Sequence, residues 1–310
     1  MNAILFPGQG SQIVGMGLEF YNNFEIVKKI FKEADDKLNY SISKIILEGP
    51  EDKLKLTENT QPAILTVSYS IFSVLKKEFN FDKTKFFAGH SLGEYSALVC
   101  SESLKFSDAL FLLFERGKAM QEAVPLGKGS MIAVLGLKIN EIKNLINELK
   151  LKGVCEIAND NAEGQTIISG DVESINLLQN ILKKNKKKFI PLNVSAPFHC
   201  SLMKPAAVKM EEKINSINFE KPKFDVVCNV TSKPENNPEN IKKLLIDQIC
   251  STVRWRESLI NMAEVEINNF IEIGPGKVLS GMAKRTVKNI NCFSINSIDD
   301  MKKTIDGLKK

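Results

Sequence analysis

Phe86-Phe87-Ala88-Gly89-His90-Ser91-Leu92-Gly93-Glu94-Tyr95-Ser96-Ala97-Leu98-Val99-Cys100 is the stretch that decides the fold. Phe86 to Ala88 is a short apolar run ending at glycine, which reads as a buried strand. Glu94 to Cys100 reads as a helix. Between them lies Gly-x-Ser-x-Gly, the spacing of a nucleophile elbow. The glycines are needed because the turn is sharp and its backbone crowded. Such a turn lifts the Ser91 hydroxyl clear of the sheet edge. It also sets the Leu92 N–H at the start of the following helix, where it can stabilise an oxyanion with help from the helix dipole. A plain strand-to-helix turn with a capping serine is the alternative, and the strand-turn-helix context favours the elbow. Ser91 is therefore expected to be the nucleophile of an acyl-transferring enzyme.

A serine nucleophile needs a base. The chain has only two histidines, His90 and His199. Neighbouring side chains leaving a strand point to opposite faces, so His90 is badly placed to take the Ser91 proton. His199, in Ser195-Ala-Pro-Phe-His199, is the expected general base. Serine first and histidine far downstream is also the chain order of serine hydrolases on α/β sheets. His90 is expected to be structural or to support the site from behind.

The same reading extends outward along the chain. Ala3 to Phe6 is a buried strand running into the tight loop Pro7-Gly8-Gln9-Gly10-Ser11-Gln12. Helices are expected over 25–38, from Thr60 onward with Pro62 near the start, and over 107–121 with Ser107 as its cap. From 126 to 194 the pattern becomes strand 130–137, helix 140–149, strands 154–158 and 165–169, helix 172–184 and strand 188–192. That β-α-β-β-α-β order is the ferredoxin-like unit. After Ser195 come strand 224–229, helix 241–249, strand 270–273 and helix 278–286. The expected fold is α/β: a discontinuous large α/β-hydrolase-like domain with a mostly parallel central sheet (1–125 and 195–310), and a small ferredoxin-like insert (126–194).

Composition narrows the function class. Hydrophobic residues make up 43% of the 310, enough for a substantial core, and charged residues make up 25%. The net charge of +5 falls short of the basic bias of a dedicated nucleic-acid binder, and suits acidic substrates or partners. No apolar window is long enough to span a membrane, and the N-terminus does not read as a signal peptide. The six cysteines are scattered with no C-x-x-C pair, which reads as reduced cytoplasmic thiols and not as a disulfide frame or zinc site. Two glycine motifs mislead. Gly8-Gln-Gly10-Ser-Gln-Ile13 lacks the third glycine of a dinucleotide fingerprint. Gly274-Pro-Gly-Lys277 is followed by Val278 where a phosphate loop needs Ser or Thr.

Phe6-Pro-Gly-Gln-Gly-Ser-Gln12, Gln61-Pro62, Gly89-His-Ser-Leu-Gly-Glu94, Arg116-Gly117, Gly129-Ser-Met131, Asn161, Gly164-Gln165, Pro197-Phe-His199 and Glu272-Ile-Gly-Pro-Gly-Lys277 occur in one order along the chain. On these motifs the chain resembles the malonyl-CoA:acyl carrier protein transacylases of fatty-acid synthesis, over essentially its whole length. The resemblance implies ping-pong transfer of malonyl from malonyl-CoA to acyl carrier protein, through an ester on Ser91. It implies backbone N–H groups of Gln9 and Leu92 as the oxyanion hole, and Arg116 as the group that binds the malonyl carboxylate. A surface pairing of Arg116 with Glu115 or Glu122 is the competing reading. It further implies that a backbone carbonyl at Gln248 orients His199, with Asp247 as the rival. It places Phe198 and Asn161 in the substrate site, Phe198 disfavouring an α-methyl branch. Asn159-Asp160-Asn161 departs from the family, which has an aromatic or apolar residue in the middle of this loop. No cofactor, metal, nucleic acid or membrane is implied, and a monomer is expected. Lys183 to Lys188 reads first as a solvated helix end; as a patch for acidic carrier protein or CoA phosphates it competes with Lys284, Arg285 and Lys288. A serine thioesterase or patatin-like hydrolase is the alternative function.

Overall fold

A computed structural model of the chain describes residues 1–149 and 151–309. Ten strands are present among them: β1 (Asn2–Phe6), β2 (Thr84–Gly89), β3 (Gly129–Leu135), β4 (Cys155–Ala162), β5 (Gln165–Asp171), β6 (Lys188–Pro191), β7 (Asp225–Val227), β8 (Pro234–Glu235), β9 (Asn269–Ile273) and β10 (Asn291–Ile295). They form two sheets. The first has the order β10-β9-β1-β2-β7-β8, and the second the order β4-β5-β3-β6. In the first sheet every neighbouring pair is parallel except β7 with β8. The second sheet is antiparallel throughout. The fold is mixed α/β with a mostly parallel central sheet and a separate antiparallel one.

Strands buried on both faces read as unbroken apolar runs. The period of two then sorts their side chains between two cores. Ile4, Phe6 and Phe87 join the larger cluster, on the face covered by the long helices Glu25–Leu38, Thr57–Leu75 and Phe106–Glu122. Ala3, Leu5, Phe86 and Ala88 face Trp255, Leu259 and Met262 of the helix Trp255–Glu264. The antiparallel sheet divides in the same way. Met131, Ala133 and Ile167 pack into the larger cluster. Ile132, Val134 and Ile168 face Ile142, Ile175, Leu178 and Leu182 of the two helices Ile139–Glu148 and Val172–Lys184.

The chain builds the parallel sheet outward from β1, first to β2 and β7 and later to β9 and β10. Such a reversal leaves a crevice at the carboxyl ends of the central strands. Phe6 at the end of β1 pairs with Gly89 at the end of β2, so the loop after Pro7 and the elbow lie side by side.

Three local expectations are corrected. Ser107 lies inside the helix Phe106–Glu122 and does not cap it: Lys105 holds the N-cap position with no side-chain bond. The helix carrying Pro62 starts earlier, at Thr57, so proline sits near the end of its first two turns. Asn159 to Asn161 are part of β4 and not a loop. Register shifts on both sides of Asn159 and Asp160 explain why no clean alternation marks them as strand.

Candidate active site

The elbow is compressed as its glycines require. A Cβ on Gly89 would stand 1.8 Å from the Gly93 carbonyl oxygen, and one on Gly93 would stand 2.3 Å from that of Phe6. Ser91 itself sits at φ +53°, in the left-handed region that a β-substituted residue rarely adopts. Strain of this kind persists only where the surroundings fix it. Here the fixing group is Asn229. Its Oδ1 accepts the Ser91 N–H at 2.7 Å, and its Nδ2 donates to the Gly89 carbonyl at 2.7 Å. Glu94 in turn accepts the Asn229 N–H at 2.9 Å. Asn229→Ala leaves two buried elbow groups without partners. It is expected to cost about 2–6 kcal/mol of stability in urea melts, at about 1–3 kcal/mol for each orphaned group. The rate of any acyl transfer through Ser91 should fall roughly tenfold or more with it.

His199 approaches from the loop before Lys204–Ser216, also at positive φ (+57°). Its Nε2 lies 2.7 Å from Ser91 Oγ and its Nδ1 lies 2.9 Å from the Gln248 carbonyl oxygen. A carbonyl can only accept, so Nδ1 carries the proton and Nε2 is free to take one from Ser91. Asp247, the rival orienting group, is exposed. Burial, with the Arg116 charge as second cause, pushes the His199 pKa down to about 3. The ring is therefore neutral in the resting molecule, as a base must be. His90 faces the other way: its Nε2 lies 2.8 Å from Asn161 Oδ1, and its ring stands edge-on to Trp255.

Arg116 is 1% exposed, on the helix Phe106–Glu122. Its surface alternatives are taken: Glu115 pairs with Lys213 and Glu122 with Lys209. Two neutral amide oxygens hold its guanidinium, Gln61 Oε1 on Nη1 at 2.7 Å and Gln248 Oε1 on Nη2 at 2.9 Å. Nη2 also reaches Ser91 Oγ at 3.3 Å. Nε has no partner, and none of the ion pairs among the described residues includes Arg116. A buried cation without a counter-ion is costly. One whose Nη2 lies within reach of a nucleophile and is held by neutral amides alone is suited to a ligand carboxylate. Gln248 joins the parts: its carbonyl meets His199, its Oε1 meets Arg116, and its Nε2 donates to the Ser91 carbonyl and to Glu94. Burial pushes the Glu94 pKa up to about 7, against the lowering effect of the Asn229 and Gln248 donors.

The remaining expected residues fall nearby. The Leu92 and Gln9 N–H groups have no acceptor among the described residues. The turn holding Gln9 is tied by Ser11 Oγ donating to the Gly8 carbonyl at 2.7 Å and by the Gly10 N–H donating to Gln12 Oε1. Phe198 is buried beside His199. Asn161 is engaged by His90. Among the described residues no group of three or more His, Cys, Asp or Glu side chains could hold a metal ion, and no helix is long and apolar enough to cross a membrane. Arg285 Nη2 donates to Gln165 Oε1 at 2.6 Å, bridging the helix Val278–Thr286 and β5. Sequence reasoning missed Asn229, Glu94 and the side chain of Gln61. Asn229 did carry a signal: it is a polar residue just past the carboxyl end of a parallel strand, where such sheets gather their sites.

Residues 4–309 match the family model described as an acyl transferase domain. The chain belongs to this acyl transferase family. Within it, the chain is 40% identical over 310 residues to the malonyl CoA-acyl carrier protein transacylase of Bacillus subtilis (strain 168), covering 99% of this chain and 97% of that protein. The acyl-carrier-protein-S-malonyltransferase of Bartonella henselae superposes with a TM-score of 0.96 at 39% identity, covering 100% of this chain and 99% of that one. A malonyl-transacylase solved in complex with its type II PKS acyl-carrier protein gives 0.95 at 38% identity, with 99% of both chains covered. These relatives place the acyl transferase among malonyl-transferring members of the family.

Proposed function

We propose that this acyl transferase moves malonyl from malonyl-CoA to the phosphopantetheine thiol of acyl carrier protein in fatty-acid biosynthesis. The observation that carries the reading is the buried Arg116, which makes no salt bridge among the described residues and has Nη2 3.3 Å from Ser91 Oγ, because it selects an acyl group bearing its own carboxylate. Ser91 Oγ gives its proton to His199 Nε2 and attacks the thioester carbonyl. The N–H groups of Gln9 and Leu92 receive the oxyanion. As the C–S bond breaks, His199 returns the proton to the departing CoA sulfur, leaving a malonyl ester on Ser91. The second half runs in reverse. His199 takes the proton of the carrier-protein thiol, the sulfur attacks the ester, and Ser91 leaves with the proton. The Gln248 carbonyl keeps the imidazole in the tautomer both halves need. Phe198 and Asn161 bound the substrate site.

In this reading residues 1–125 and 195–310 form an α/β-hydrolase-like domain, and 126–194 a ferredoxin-like one closing over the crevice. The strand order β4-β5-β3-β6 with two helices on one face supports the second name. The reaction needs no cofactor, CoA entering only as part of the substrate. The enzyme acts as a monomer in the cytoplasm or the matching compartment of an organelle.

Intact mass spectrometry after brief exposure to malonyl-CoA tests the proposal. A single malonyl adduct is expected, persisting until a carrier-protein thiol is added and then discharging onto it. Free malonate released without an acceptor would make the protein a thioesterase and overturn the reading.

A further inference from the structure

Asp160 is a carboxylate in the middle of β4, yet it is 1% exposed. Arg256 of the helix Trp255–Glu264 grips it, with Nε at 2.9 and 3.0 Å from its two oxygens and Nη2 at 2.9 Å from Oδ2. A pair of one buried and one half-buried charge has little claim to net stability, since desolvation, chiefly of Asp160, opposes their attraction. Its better-attested role is to specify one arrangement among several. Here there is an arrangement to specify. The β4–β5 register slips between Ile157 and Asn159 and again between Asp160 and Ala162, so the ladder alone holds this segment weakly. The segment is stitched instead to the strap before the Trp255 helix. The Asp160 N–H donates to the Val253 carbonyl at 3.0 Å, and the Val253 N–H to the Ala158 carbonyl at 2.8 Å.

The chain neighbours of the two charged residues meet at one place. Asn161, which follows Asp160, lies with Oδ1 2.8 Å from His90 Nε2. Trp255, which precedes Arg256, holds the other side of that ring at a centroid distance of 5.5 Å. His90 in turn packs against the oxyanion loop. A Cβ placed on Gly8 would stand 2.6 Å from the His90 carbonyl oxygen and 3.1 Å from its Nδ1. Gly8 directly precedes Gln9. We propose that the Asp160–Arg256 ion pair is a positioning device for acyl transfer, fixing the bulged strand so that Asn161 and Trp255 seat His90 against the Gly8–Gln9 turn. The pair touches no reacting atom. It acts through His90 on the donor that receives the oxyanion, and so rests on the malonyl-transfer reading given above.

With only two histidines, the ¹⁵N-labelled protein gives two imidazole spin systems, assigned by the spectrum of His199→Ala. In Asp160→Asn the His90 ring resonances are expected to shift or broaden while those of His199 hold. Malonyl-transfer kcat should drop roughly tenfold with KM within about twofold, a fraction of the roughly hundred- to thousandfold that loss of one oxyanion donor costs. Arg256→Gln should do the same. The double variant Asp160→Asn/Arg256→Gln should be no worse than the poorer single one, because the pair acts as a unit. Should Asp160→Asn fail to fold, Arg256→Lys keeps the charge, loses the fork, and should move His90 and kcat the same way by less. Unmoved His90 resonances, an unchanged kcat in folded variants, or additive losses in the double variant would each overturn the proposal. The His90 signals report on the pair whichever acyl group is transferred, so a failed malonyl adduct in the wild type is a separate result.

Discussion

Ser91→Ala is expected to erase the acyl adduct and to lower malonyl transfer by roughly 10⁴- to 10⁶-fold, the range seen when a serine nucleophile or its base is removed. The neighbouring thiol is not set to replace the hydroxyl. Cys200, the thiol next to His199, donates to the Pro197 carbonyl, and burial raises its pKa. His199→Ala should fall in the same range, and the double variant should lose little more, because the two act as one unit across 2.7 Å. Steady-state transfer and adduct mass check all three. A Ser91→Ala protein that still acquires a malonyl group would remove the serine from the mechanism.

The state of His199 adds a prediction in pH. A histidine whose pKa is pushed down to about 3 stays neutral in the free enzyme from neutrality well into acid. Since kcat/KM reports groups of the free enzyme, no His199 limb is expected between pH 5 and pH 8. Glu94, its pKa pushed up to about 7 by burial, is a group of the network that titrates in that window. It faces the Asn229 N–H and Gln248 Nε2, with Arg116 and Cys228 close by. Any inflection near pH 7 should therefore vanish in Glu94→Gln. One that survives would rule out Glu94 as its source.

What could be read in advance divides along a physical line. The elbow was legible because its chemistry is local: glycine, serine and glycine must stand at fixed spacing for the turn to close. His199 was legible by count. The alternation of strands and helices along 126–194 predicted the second sheet, with two helix boundaries nearly to the residue. The supports were not legible. Asn229 meets Ser91 across 138 positions, and Arg256 meets Asp160 across 96. No periodicity carries such a pairing. The helix Lys204–Ser216 went unread because only Ala206, Met210 and Ile214 are buried, one residue per turn in a polar, lysine-rich stretch. The choice between the Gln248 carbonyl and Asp247 turned on which one the last turn of the helix Pro238–Gln248 faces inward. That depends on packing against Ser91 and Glu94 and not on sequence spacing.

Arg116→Ala is expected to invert acyl preference. Two charge-assisted hydrogen bonds to the malonyl carboxylate, at about 1.5–3 kcal/mol each, place the loss in malonyl kcat/KM at roughly 10²- to 10³-fold or more. Acetyl transfer has no carboxylate to lose. It should hold or improve, since the wild-type site presents acetyl with a buried cation and no anion to pair it. Arg116→Lys should recover only part of the malonyl activity, because an ammonium cannot supply the planar fork that Gln61 and Gln248 hold in place. A second readout separates this from general damage to the site. The Arg116 charge is one of the causes that lower the His199 pKa, behind burial. Removing it should lift that pKa in part, burial still holding it below 6.5, so the acid limb of acetyl-transfer kcat/KM should move upward in Arg116→Ala. Competition between malonyl-CoA and acetyl-CoA, followed by adduct mass across pH, reads both effects in one experiment. Equal losses for the two acyl groups would leave Arg116 a structural residue. An upward-shifted limb together with a retained acetyl rate would place its charge beside both the carboxylate and the base, where one guanidinium selects the substrate and adds to the burial that holds His199 neutral.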